Sequence, residues 1–166
     1  MKRWLAFALF GLVLAPTVSS SAPVDDLHDF VRGSWQQLRQ AHAGAPLIVH
    51  FWGVTCGPCR AEMPQWGQFL KQHPGLPLVT IDADLVPNDA DAVKSMLQQS
   101  GLTKAENWMF DDDFVERLRY EIDPHWQGDI PRTLLIARDG RTTTIDGVVD
   151  FAKVSAWLNH EDKESN

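Results

Sequence analysis

An unbroken apolar run, Leu47-Ile-Val-His-Phe-Trp52, stands three residues ahead of Cys56-Gly57-Pro58-Cys59, and a helical pattern follows as far as His73-Pro74-Gly75. A strand this apolar reads as buried on both faces, inside a sheet covered from either side. The two cysteines are the only ones in 166 residues. They can close a disulfide with each other. The first of them sits at a helix N-terminus, facing unpaired backbone N–H groups and the positive end of the macrodipole. Such a site favours thiolate and can bring a cysteine pKa from about 8.5 down to roughly 3.5–7.5. Thiol–disulfide exchange is the first reading. A structural zinc site needs four ligands, and the chain has no second Cys pair and no matching His spacing. A purely structural disulfide gains most by closing a long loop, and this one closes almost none.

Composition narrows the class of partner. Hydrophobic residues make up 44% of the chain and include seven Trp and eight Phe, enough for a real core. The net charge of −7 disfavours nucleic acid and anionic membrane surfaces as partners. Two cations, Lys2 and Arg3, precede a short apolar run and then Pro16-Thr-Val-Ser-Ser-Ser-Ala22. This is the layout of a secretory signal peptide over residues 1–21, cut near 20–22, and the run is short of the ~20 residues that span a bilayer. The expected protein is therefore exported and periplasmic, soluble after cleavage, with an uncleaved N-terminal anchor as the alternative. In an oxidising compartment a lone Cys-X-X-Cys is either a disulfide donor or a reductant kept reduced by a dedicated supply of electrons.

Periodicity divides the rest of the chain. Leu27, Phe30, Val31, Trp35 and Leu38 recur at helical spacing over 24–40, with Gly33 marking a break between two short helices. Strands are predicted at 47–52 and 78–82, and a helix from Cys56 or Pro58 to Gln72, with Pro64 expected to kink it. Pro87-Asn88-Asp89 opens a helix that Gly101 ends, and Trp108-Met-Phe110 is a short strand or a loop. Asp113 and Glu116 predict a capping box for a helix over 114–122, which accounts for the Asp111-Asp112-Asp113 run better than a cation site does. A strand at 133–137, an Asp139-Gly140 hairpin turn, a returning strand at 142–148 and a helix at 151–158 complete the pattern. The fold class is α/β, a central mixed sheet flanked by helices on both faces, in one domain over 24–160 with a polar tail at 161–166.

Phe51-Trp52-Gly53, Cys56-Gly57-Pro58-Cys59, Arg60-Ala-Glu62-Met-Pro64 and Ile130-Pro131-Arg132-Thr133 before Asp139-Gly140 together resemble the thioredoxin-like superfamily. They are most similar to its exported, reductive branch, the TlpA-like and cytochrome c biogenesis thioredoxins. The resemblance covers most of the chain beyond the leader. It implies a thioredoxin-like fold and a redox-active pair, with Pro131 as a cis-proline opposite the cysteines. Ile130 would then offer its backbone to an extended substrate segment, with Trp52 nearby in the binding region. Two positions depart from the family. Thr55 stands where a Trp usually precedes the first Cys, and His50 stands where thioredoxin buries an acid.

The mechanism this implies has Cys56 attack a substrate disulfide and Cys59 resolve the mixed disulfide. His50, Asp82 or Asp84 is the candidate proton relay for the inner thiol, His50 being equally readable as neutral core packing. Arg60 and Arg132 add positive potential. Gly57 and Pro58 place no cation between the sulfurs, which favours a reductase over a disulfide-donating oxidase or isomerase. Protein disulfides are the expected substrates and a membrane thiol carrier the expected electron donor. No cofactor and no metal are expected. A soft-metal module holding Cu(I), or a thioredoxin-fold binding module, are the readings from other classes.

Overall fold

A computed structural model of the protein describes residues 26–84 and 89–164. The expected leader over 1–21, with its cleavage region, lies outside the described residues, as do Pro87 and Asn88. The elements run β1 (Leu27–Phe30), α1 (Ser34–Ala41), β2 (Leu47–Trp52), α2 (Gly57–Gln72), β3 (Leu78–Asp82) and α3 (Ala90–Ser100). They continue with β4 (Glu106–Phe110), α4 (Val115–Ile122), β5 (Arg132–Ile136), β6 (Thr142–Asp146) and α5 (Phe151–Glu164). One six-stranded sheet has the order β1-β4-β3-β2-β5-β6. The first four of these strands are mutually parallel and the last two pairings are antiparallel.

The apolar run of β2 is explained by its place. It pairs with β3 on one side and β5 on the other, and all six of its residues are buried. One core, on the α2, α3 and α5 face, contains Ile48, Met63, Trp66, Phe69, Val93, Leu97, Val154 and Leu158. The other, under α1 and α4, contains Phe30, Leu38, Val49, Phe51, Ile81, Leu118 and Leu134. Alternate residues of β2 thus feed opposite layers, the period-2 consequence of a strand buried on both faces. Glycine allows one close approach: a Cβ at Gly67 would lie 1.7 Å from the Ser100 carbonyl oxygen, so α2 and the end of α3 meet backbone to backbone only because residue 67 has no side chain.

Local signals hold where they are strong. Asp89 caps α3 by accepting from the Asp91 N–H at 3.0 Å, and Gly101 ends it in the left-handed region at φ 74°. Arg138 to Arg141 form the expected turn between β5 and β6, closed by the Ala137 N–H on the Arg141 carbonyl at 2.8 Å. Helix α2 runs as one element through Pro64.

Three readings are corrected. Residues 27–30 are an edge strand and not the first half of a helix: their partners are 107–110, far along the chain, and a four-residue segment carries too little periodicity to reveal this. Trp108-Met-Phe110, read as a short strand or a loop, belongs to a strand that starts at Glu106. The predicted capping box is absent: Phe114 is the N-cap of α4 with no side-chain bond, while Asp112 accepts from the Phe114 N–H at 2.8 Å. The expected tail from 161 is instead helical as far as Glu164, because Glu161 is buried and accepts the Arg138 N–H at 3.1 Å.

Candidate active site

β2, inside the sheet, ends at Trp52, and 53–56 turn from its C-terminal end into α2. The Cys56 N–H closes that turn on the Gly53 carbonyl at 3.2 Å. Cys56 is the N-cap of α2, with extended backbone, and its Sγ accepts the Cys59 N–H at 3.2 Å. Pro58 in the first turn costs the helix nothing, since its missing N–H would have had no partner there. A disulfide joins Cys56 and Cys59, S–S 2.05 Å. The sulfurs differ in access: Cys56 is half-buried, and Cys59 is fully enclosed at 0% exposure.

The start of β5 faces the pair. The Ile130–Pro131 peptide bond is cis, and the Ile130 carbonyl oxygen lies 3.7 Å from Cys56 Sγ. This loop is held from several sides. The Gly147 N–H donates to the Pro131 carbonyl at 2.9 Å, and the Trp126 indole donates to the Asp129 carbonyl at 3.0 Å. The Arg132 guanidinium donates to Asp123 at 2.6 Å and lies 5.3 Å from the centre of the Trp126 ring.

Two polar side chains, His50 and Glu62, are buried on the α2 side of the sheet. His50 is fully buried, with Nδ1 3.0 Å from Thr133 Oγ1 and its ring 5.1 Å from that of Trp66. Loss of water around it pushes its pKa down from 6.5 to about 3, so the ring is neutral at ordinary pH. Glu62 is also fully buried, one turn beyond Cys59. Its Oε1 accepts the Val149 N–H at 2.8 Å. Burial raises the Glu62 carboxyl above the usual range, with the Val149 hydrogen bond acting in the opposite sense.

Ile130 and Pro131 stand opposite Cys56 as the resemblance implied, Ile130 half-buried and Pro131 buried. Trp52 does not join them. It is 0% exposed in the core on the α2 face and presents no surface to a substrate, which corrects its expected place in the binding region. Asp82 is buried on β3, in register with Trp52. Asp84 lies just beyond β3 and spends both carboxylate oxygens on Thr55: Oδ2 accepts its N–H and Oδ1 its hydroxyl, each at 2.8 Å. Arg60 is exposed, and Arg132 is turned away toward Asp123 and Asp146. Sequence reasoning assigned no role to Glu62. The available signal was a carboxylate on the buried stripe Cys59, Glu62, Met63, Trp66 of an otherwise ordinary amphipathic helix. It also passed over Val148, which is 57% exposed between Gly147 and Val149, residues that contact Pro131 and Glu62. Among the described residues no group of three or more His, Cys, Asp or Glu could hold a metal ion.

The sheet order, the helix-starting cysteine pair and the cis-proline facing it define a thioredoxin-like fold. In sequence the chain is similar to thiol-disulfide oxidoreductases of the ResA kind, in keeping with its motifs. It is 28% identical to the thiol-disulfide oxidoreductase ResA of Bacillus thuringiensis over 101 residues, 59% of this chain and 52% of that one. It is 32% identical to the sporulation thiol-disulfide oxidoreductase A of Bacillus subtilis over 62 residues, 36% of this chain and 38% of that one. The chain thus spans about half the length of ResA, or less in the second case. A secreted Mycobacterium tuberculosis disulfide oxidoreductase homologous to DsbE shares the fold, TM-score 0.57 at 22% identity, covering 73% of this chain and 85% of that one. No protein-family model matches the chain.

Proposed function

We propose that the protein is a thiol–disulfide oxidoreductase that reduces disulfides in exported proteins. The observation that carries this reading is the asymmetry of the pair: Cys56 is reachable beside the Ile130 carbonyl, and Cys59 is sealed one turn deeper. In the reduced protein the Cys56 thiolate attacks one sulfur of a substrate disulfide. A Cys56–substrate bond forms, the substrate S–S bond breaks, and the other substrate sulfur leaves as thiolate. Cys59 then attacks Cys56 Sγ, the internal disulfide closes, and the second substrate thiolate departs, two electrons having passed to the substrate.

The second step needs a base, because a thiol enclosed in apolar surroundings holds its proton. Glu62 supplies it in this reading, lying on the same buried face of α2 with a carboxyl that burial raises above the usual range. His50 is already neutral but bound at Nδ1 to Thr133, and serves as packing. Asp82 is the remaining candidate relay from β3. Gly57 and Pro58 put no cation between the sulfurs, which favours reductant over oxidant. The leader read from residues 1–21 supports export to the periplasm, where a membrane thiol carrier would return the electrons and oxidised proteins, apocytochrome c among them, would be substrates. No described helix is long and apolar enough to cross a membrane.

The test is disulfide reduction with insulin as substrate and dithiothreitol as electron source. Wild type accelerates it and Cys56→Ser does not. Cys59→Ser, mixed with a disulfide-bonded peptide, accumulates a covalent adduct on non-reducing gels. Failure of wild type to exceed dithiothreitol alone would overturn the reading.

A further inference from the structure

The residue immediately before Cys56 has both of its donors taken by one carboxylate: the Thr55 N–H donates to Asp84 Oδ2 and the Thr55 hydroxyl to Asp84 Oδ1, each at 2.8 Å. Asp84 is only 8% exposed, so water screens this charge less than it would at an open surface. The other wall of the carboxylate is Gly53, where a Cβ would fall 2.3 Å from Oδ1 and 2.9 Å from Oδ2. The Cys56 N–H in turn closes on the Gly53 carbonyl. Residues 53, 55 and 56 are therefore arranged around Asp84, although Asp84 comes from a different strand end.

We propose that Asp84 is a positioning residue of the exchange reaction: its carboxylate clamps the turn that presents Cys56, and its charge opposes the helix N-terminus there, making the pair a stronger reductant. The inference rests on the oxidoreductase reading above. Reduction of the internal disulfide takes two electrons and two protons and leaves two thiols, of which Cys56 is the one placed to ionise. Whatever stabilises that thiolate stabilises the reduced form and makes the pair more oxidising. An anion beside it acts in the reverse sense. Other charges around Cys56 are Arg60, exposed one turn along α2, and Glu62, buried behind Cys59. Asp82 lies on β3, Asp129 beside Ile130, and Arg132 beyond Pro131 faces Asp123 and Asp146. Asp84 is distinguished by two hydrogen bonds to the neighbouring residue.

The experiment equilibrates the full chain with glutathione, two glutathione thiols reducing the pair and one glutathione disulfide forming. Thiol trapping gives the equilibrium constant, and ultraviolet thiolate absorbance gives the Cys56 pKa. Asp84→Asn is expected to be reduced by glutathione about tenfold more readily, equivalent to roughly 30 mV, with the Cys56 pKa falling by about one unit. Thr55→Val, which keeps the N–H bond and the charge but loses the hydroxyl bond, is expected to loosen the turn and shift both readouts partway. Thr55→Ser restores wild-type values. Unchanged equilibrium and pKa in Asp84→Asn, or a shift of the opposite sign, would overturn the inference while wild type still exchanges with glutathione. If Asp84→Asn does not fold, Thr55→Val against Thr55→Ser decides: equal values in the two overturn the inference. A wild-type pair that does not exchange at all overturns the oxidoreductase reading, and this inference with it.

Discussion

The Val149 N–H donates to Glu62 Oε1 at 2.8 Å, so the turn between β6 and α5 is tied to α2 one turn beyond Cys59. A backbone donor on one segment thus holds a buried acid on another, and the same segment carries the exposed Val148 and the Gly147 N–H that binds the Pro131 carbonyl. Both walls around the cysteines are referred to one turn.

That contact makes Glu62→Gln an informative variant. The amide oxygen can still accept from Val149, while the group that takes the Cys59 proton is gone. Attack by Cys56 on a disulfide peptide should keep its rate, and resolution of the adduct should slow by about 100-fold, in the range of general-base catalysis. Quenched-flow traces that separate the two steps are the measurement. Equal slowing of both steps would remove Glu62 from proton transfer and leave it a packing role.

His50 and Glu62 should bend the stability profile in opposite directions. A His with its pKa depressed from 6.5 to about 3 supplies stability that is complete above 6.5 and is lost as pH falls toward 3, by up to about 1.4 kcal/mol per pH unit. Glu62, raised above its ordinary 4.5, does the reverse: stability falls as pH rises from 4.5 through the raised value. From 4.5 up to the raised Glu62 value the two oppose each other. Urea unfolding of the oxidised chain should therefore show a steeper acid loss in Glu62→Gln. In His50→Asn stability should decline with rising pH across that window. A His50→Asn profile that still weakens on acidification there would contradict a buried, neutral His50.

Gly67→Ala tests the packing that carries α2. The new methyl would meet the Ser100 carbonyl oxygen at 1.7 Å, a backbone atom that cannot turn aside like a side chain. Overpacking of this kind costs about 3 kcal/mol. For a chain of this size, thermal unfolding should shift down by about 10 °C. A melting point within about 2 °C of wild type would mean that the helices separate there at little cost.

Much of this was legible without coordinates because it is local. An apolar hexamer, an N-terminal cysteine with Pro58 behind it, Asp89 ahead of α3, Gly101 after it and Asp139-Gly140 between two strands each act within a few residues. Their geometry follows from short-range sterics and hydrogen bonding. The acid on the buried stripe of α2 was equally local and could have been recognised from Cys59, Glu62, Met63 and Trp66 alone.

The amino-acid sequence by itself determined the α/β class and the cysteine pair with its order along the helix, since these depend on residue type and spacing; the proline facing the pair was implied by the family resemblance. Tertiary structure alone decided what surrounds them. Leu27–Phe30 became a strand because Glu106–Phe110 lay free to pair with it, not through any preference of its own four residues. Trp52 went to the core because alternate residues of a doubly covered strand must face helices on either side. Asp84 reached Thr55 across a separation of 29 residues, Glu62 reached Val149 across 87, and His50 reached Thr133 across 83. Contacts at such separations carry no periodic trace in the chain. They exist because closing the sheet brings distant strand ends to one place, where desolvation then sets the charge state of each buried group.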